Sequence, residues 1–229
     1  MDPAYALEVE REDGELLLLD GLVLVRGFLA GDLSARPNGY NDRAGRGDRE
    51  AISIDDIVLV NSTMRSRAQH ARWQPIIDAD QSWLARIPDN LDLIDDDNAT
   101  WAAAQGNTLV GEAIERCIVP HIGLARATKV LHLKRPRAFP VLDELVLQMM
   151  GVPVPDKVET RVAAARRVTA ALRREGRRNS DALKRIRDAT ATDRSRLSLI
   201  RVLDIALWFA HPVAGVDGTS RMFILTTRA

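Results

Sequence analysis

From Ser53 to Ala210 the apolar residues recur at helical spacing, and this periodicity restricts the chain to a mainly α fold more than any other feature. Ser53 followed by Asp55 and Asp56 reads as a cap with first-turn acids, and Ile57, Val58, Val60 and Met64 supply one apolar face. The spacing predicts a second helix over Gln74 to Arg86, with Ile76, Ile77 and Leu84 inward, then helices over 108–118, 123–133 and 143–150. Pro153 and Pro155 punctuate a linker, after which 156–175, 179–189 and 195–210 complete a multi-helix bundle of some eight helices. Ahead of the helices, Leu7 and Val9 alternate with charges and Asp13-Gly14 is a turn signal, so residues 6–19 predict a short β-hairpin. Leu22 to Leu29 starts a helix or a third strand. Residues 30–50, with Gly31, Gly39, Gly45 and Gly47, read as a mobile loop, and the tail from Pro212 as irregular or a short strand at Met222–Thr226. The expectation is a single domain over 1–229: an N-terminal hairpin and loop to residue 50, a helical core over 51–211, and a tail.

The chain has 229 residues and is 46% hydrophobic, enough to bury a core. Its one cysteine, Cys117, can make no internal disulfide and cannot supply the four thiolates of an iron–sulfur cluster. His70, His121, His132 and His211 stand far apart, without metal-ligand spacing, so no metal or other cofactor is expected. Leu197 to Ala210 contains Arg201 and Asp204 and is too short to span a bilayer. The N-terminus lacks the basic start and apolar run of a signal peptide, which makes the cytoplasm the expected location.

The formal net charge of zero hides a division. Residues 1–115 carry 10 Lys/Arg against 22 Asp/Glu, and residues 116–229 carry 22 against 10. Either the basic half faces a polyanion, or the two halves dock on each other or on another subunit.

The chemistry concentrates between Val119 and Val146. A helix ends near Val119-Pro120, a tight turn over His121–Gly123 opens a second one, and the first-turn amides of that helix can receive a phosphate oxygen. From Arg116 to Arg137 stand six basic residues (Arg116, Arg126, Lys129, Lys134, Arg135, Arg137) and no acidic one, a strip suited to a nucleic-acid backbone. Phe139-Pro140-Val141-Leu142 then leads to Asp143 at a helix start.

This segment resembles the helix-hairpin-helix of the endonuclease III and adenine DNA glycosylase superfamily, placed at about residues 108–133. Val119-Pro120-His121-Ile122-Gly123 stands where that family has Leu-Pro-Gly-Val-Gly, and Phe139 to Asp143 stands where it has its Phe-Pro-Ile-Leu-Asp element. Gly123 and Asp143 are 20 residues apart, as in the adenine-type members. The resemblance covers about 30 residues. It implies a DNA-glycosylase-like core, Asp143 as the catalytic carboxylate, and phosphate contacts from His121, Gly123, Ala125, Arg126, Lys129, Lys134, Arg135 and Arg137. A fainter match upstream would make Asp56 to Arg67 the helix packed behind the site, with Asp56 the nearest stand-in for the family's glutamate.

Three departures narrow the implied chemistry. His121 replaces the first hairpin glycine, a position of positive φ. Ala125 stands where bifunctional members carry a lysine, which excludes Schiff-base lyase chemistry at that position. The cluster cysteines are missing. If the chain is an enzyme, the resemblance therefore implies a monofunctional DNA N-glycosylase. Ala127 to Arg137 and Ile200 to Trp208 also resemble two runs of a mainly actinobacterial family with no assigned activity.

Each of these residues has a second use. Asp143 is a good N-cap in its own right. His132 reads as structural, and Arg201 with Asp204 as a buried pair or edge positions. The arginines of 161–187 read as a solvated face or a phosphate track, and Trp73, Trp83, Trp101 and Trp208 as core contacts. The competing expectations are a non-catalytic nucleic-acid-binding module and a structural or partner-binding helical protein, a homo-oligomer included. The last requires the basic strip to be buried against the acidic residues 78–97.

Overall fold

The computed structural model describes residues 1–31, 39–64, 66–154, 158–192, 196–211 and 223–226. Strands β1 (Ala6–Glu10) and β2 (Leu16–Asp20) form the N-terminal hairpin, paired Leu7 to Leu19 and Val9 to Leu17. Gly14 takes φ +86° in the turn, where a Cβ would be strained. The tail strand β3 (Phe223–Thr226) adds antiparallel to β2. Alternation puts Leu7, Val9, Leu17 and Leu19 on one buried face.

Twelve helices are present among the described residues. α1 (Gly21–Gly31) follows β2 directly. A short α2 (Tyr40–Arg43) lies within the stretch expected to be a mobile loop. Of that stretch, 32–38 lies outside the described residues, but Tyr40 is fully buried, its hydroxyl donating to the Lys129 carbonyl at 2.6 Å. α3 (Ile54–Thr63) begins with a capping box in which the Asp56 carboxylate accepts the Ser53 amide at 2.7 Å. Where one helix was expected over 74–86 there are two, α4 (Gln74–Ile77) and α5 (Ser82–Ala85). Between them Asp80 accepts the Ser82 amide and hydroxyl, a local alternative to helical bonding.

The remaining helices are α6 (Asn98–Ala103), not foreseen, then α7 (Gly106–Cys117), α8 (Leu124–Lys134), α9 (Glu144–Met149), α10 (Val158–Arg178), α11 (Ser180–Thr190) and α12 (Leu199–Ala210). α12 is buried along almost its whole length and packs on α1, α9, α10 and α11. It approaches α1 so closely that a Cβ on Gly27 would lie 2.7 Å from the Phe209 ring. One continuous apolar cluster joins the hairpin face to the helices, with Trp73, Tyr40 and Phe139 its largest fully enclosed side chains. Trp83 and Trp101 are also buried, and Trp208 is half-buried. No described helix is long and apolar enough to cross a membrane, and no described group of His, Cys, Asp or Glu could hold a metal ion.

Candidate functional site

α7 and α8 pack together and are joined by residues 118–123, closed by a bridge between Val119 and Ile122. His121 takes φ +72° there, the left-handed conformation that the motif assigns to glycine. That conformation costs a non-glycine residue about 1–2 kcal/mol, and the surrounding turn enforces it. Gly123 caps α8 with no side chain, so the first-turn amides face outward without a capping oxygen.

Those amides open into a cavity of about 460 Å³. Its wall includes His121, Arg126, Asp143, Glu144 and, from α10, Arg161. The Arg161 guanidinium lies 3.8 Å from where a Cβ on Gly123 would begin. Arg126 is bonded to the carbonyls of Ser66 (3.1 Å) and His121 (2.7 Å) and makes no ion pair among the described residues. Lys129 donates to the Met64 carbonyl at 3.1 Å and lines a neighbouring cavity of about 220 Å³, together with Phe28, Asp143, Arg201, Asp204 and Trp208.

Asp143 therefore stands between the two cavities. Its carboxylate accepts the Val146 amide at 3.1 Å as the N-cap of α9, as its sequence position suggested. Burial raises its pKa, while the Val146 amide, Lys129 and Arg201 favour the charged form.

Three side chains fix the backbone leading to Asp143. The His132 Nδ1–H donates to the Phe139 carbonyl at 2.6 Å. The Val141 amide donates to the Asp204 carboxylate at 2.9 Å. The Leu142 amide donates to the Thr128 hydroxyl at 3.0 Å, and that hydroxyl donates to the Leu124 carbonyl at 2.9 Å. Asp204 is held in turn by Arg201 at 2.7 Å, and Arg201 donates to Asn41 at 3.0 Å. Arg201 and Asp204 are thus a fully buried pair. Burial pushes Asp204 up to about 6 against the pull of Arg201. Burial and then Arg201 push His132 down to about 3, so it is neutral, stacked on Tyr40.

Lys134 and Arg135, late in the basic strip, are not where a nucleic-acid backbone could meet them. Lys134 and Arg135 are each only 3% exposed. Lys134 pairs with Asp56 at 2.5 Å and donates to the Asp48 carbonyl. Asp56 is thereby committed to a cap and an ion pair, and lines none of the cavities at Asp143. Arg135 donates to the carbonyls of Leu84, Ile87 and Arg49, and faces Asp89 at 3.2 Å. Arg137 is half-exposed and pairs with Asp92 at 2.7 Å. The acidic segment after α5 thus covers this part of the strip. The helix α10 contributes to the same docking: Arg173 donates to the Leu93, Asp96 and Asp97 carbonyls under a cation–π contact with Trp101. From α11, Lys184 pairs with Asp95 at 3.1 Å. Other arginines of α10 pair with the hairpin, Arg167 with Glu12 and Arg178 with Glu10. Of the expected contact set, His121, Gly123, Ala125 and Arg126 share one cavity with Asp143, Lys129 lies in the next, and Lys134, Arg135 and Arg137 are turned to internal partners. Arg161 was not singled out for this site, because it lies 38 residues from Gly123 and only the fold of α10 brings it there.

A family model described as a family of unknown function (DUF6308) matches residues 36–211, most of the chain. No curated protein and no solved structure matches it. The chain belongs to this family.

Proposed function

We propose that this member of the DUF6308 family binds nucleic acid through α7 and α8, acting as a helix-hairpin-helix of the DNA glycosylase kind, and that Asp143 is its catalytic carboxylate. The observation that carries this is the position of Asp143 on the wall of the cavity into which the uncapped α8 amides, Arg126 and Arg161 open. A backbone phosphate would be received by the first-turn amides and the two guanidinium groups. An extruded nucleotide would then lie against Asp143. As the bond from C1′ to the base nitrogen breaks, the electron pair leaves with the base, positive charge develops on the sugar, and a carboxylate beside it stabilises that charge. A proton delivered to the base assists its departure, and water completes the reaction at C1′. Ala125 offers no amine at the position where bifunctional members carry their lysine, which favours a monofunctional reaction.

The test is binding to duplex DNA containing an abasic-site analogue, across a salt series, beside Arg126→Glu/Arg161→Glu. Wild type should bind with an affinity that falls steeply with salt, and the double variant should lose it. Asp143→Asn should keep binding and lose base release from damaged or mismatched duplexes. Unaltered base release in Asp143→Asn would overturn the role given to Asp143, and binding by wild type with no base release would leave a binding module without catalysis.

A second reading has its own observation. The ion pairs joining Arg135, Arg137 and Lys184 to the segment 89–97, with the Arg173 bonds to its carbonyls, favour reading the opposite charges of the two halves as an internal docking device. If wild type binds no duplex even at low salt, the chain is a structural or partner-binding helical protein, and its charge division serves the fold alone.

A further inference from the structure

A third cavity, of about 370 Å³, is separate from both cavities at Asp143 apart from sharing Arg201 with the smaller one. It is built where α2, the connection after α8, α11 and the start of α12 meet. Its cations are Arg137, Arg187, Arg196 and Arg201, and its only acids among the lining residues are Asp92 and Asp95. Both acids are already engaged. Asp92 accepts the amides of Ile94 and Asp95 and the Arg137 guanidinium, and Asp95 pairs with Lys184. Arg187 and Arg196 share one half-exposed carboxylate, Asp188, at 3.0 and 2.8 Å. Two guanidinium groups on a single anion outside the lining leave the wall cationic.

One uncharged group stands among these cations. His132, buried at 1% exposure, lines the same cavity. Its Nδ1 faces the Phe139 carbonyl oxygen and so carries the proton. Its Nε2 is then an acceptor, with no hydrogen-bond partner among the described residues. An acceptor on a polar cavity can take a donor from a ligand that fills it. Inorganic phosphate would satisfy the arginines but fill only a small part of the about 370 Å³. A ligand with both an anionic end and a hydroxyl satisfies the arginines and that acceptor.

We propose that this cavity binds a small hydroxylated phosphomonoester of the sugar-phosphate class, its phosphate on Arg137, Arg187 and Arg196 and a hydroxyl donating to His132 Nε2. Forked guanidinium donors match the several oxygens of a phosphomonoester better than the two of a carboxylate. The volume lies within the range of small-molecule sites, about 300–1,000 Å³.

Calorimetric titration of the full chain with ribose 5-phosphate, inorganic phosphate and ribose tests this at near-neutral pH and low salt. Ribose 5-phosphate should bind most tightly and raise the melting temperature. Arg196→Ala, at a side chain 63% exposed and so without consequence for folding, should weaken it roughly tenfold or more. Arg126→Ala/Arg161→Ala, at the cavity beside the start of α8, should leave it unchanged. Absence of binding at millimolar concentration overturns the proposal, as does affinity that survives Arg196→Ala or is lost in Arg126→Ala/Arg161→Ala. Inorganic phosphate binding as tightly as ribose 5-phosphate overturns the role given to His132.

Discussion

Asp204 accepts the Val141 amide at 2.9 Å, so a carboxylate on α12 holds the backbone two residues before Asp143. The same carboxylate neutralises Arg201 beneath the Phe28 and Tyr40 rings. A late helix and a central loop, 63 residues apart, are thereby tied at one buried point.

Removing this carboxylate leaves Arg201 buried without a counter-charge and the Val141 amide without an acceptor. Asp204→Ala should lose about 3–5 kcal/mol of unfolding free energy, measured by urea denaturation. The paired change Arg201→Met/Asp204→Leu should cost less than the single one, because no lone charge remains.

Arg135 separates the structural use of the basic strip from the nucleic-acid one. Arg135→Glu puts a carboxylate against the Leu84, Ile87 and Arg49 carbonyls and should destabilise by more than about 3 kcal/mol, as a buried unpaired charge does. Arg126→Glu/Arg161→Glu, on a cavity wall, should shift stability by about 1 kcal/mol or less. Thermal and chemical melts of both variants check the contrast. An Arg135→Glu protein as stable as wild type would contradict the internal role.

His121 offers a local test of the turn. His121→Gly removes the left-handed strain while enlarging the unfolded ensemble, so it should be neutral or stabilising by up to about 1 kcal/mol. His121→Val, β-branched at the same φ, should be clearly destabilising. The two melting temperatures decide it.

His132 and Asp204 give opposite pH dependences. The folded pKa of His132 is about 3 against an ordinary value of 6.5, so the unfolded chain takes up the proton first. The stability this neutral ring contributes is present above 6.5 and lost as pH falls towards 3. Asp204 lies at about 6 when folded against 3.8, so its contribution is present below 3.8 and lost as pH rises through 6. His132→Gln should remove the first effect alone. Between these limits the variant should lose less stability on acidification than wild type, by about 1.4 kcal/mol per pH unit at most. Denaturant midpoints at several pH values measure the difference.

The local signals in the sequence placed the elements. Ser53 with Asp56, Asp143 and the alternation around Asp13-Gly14 act within a few residues, so α3, α9 and the hairpin were legible from them. The split at Asp80 and the cap at Asp97 are just as local, yet the apolar pattern alone hides them. Gly123 and Asp143, singled out through the family resemblance, line one cavity.

Which charges face outward was decided only by the tertiary structure. Lys134, Arg135 and Arg126 read alike along the chain, but Arg135 meets carbonyls 48 and 51 residues away while Arg126 lines a cavity. Tyr40 sits in a glycine-rich stretch and is core because α8 lies over it. Arg161 reaches Gly123, and Arg201 reaches Asn41 across 160 residues, only through helix packing. Caps, turns and periodicity are properties of neighbours in sequence. Burial, and ion pairs such as Lys134–Asp56 and Arg137–Asp92, depend on which distant segments exclude water together, and no short window of sequence contains both partners of such a pair.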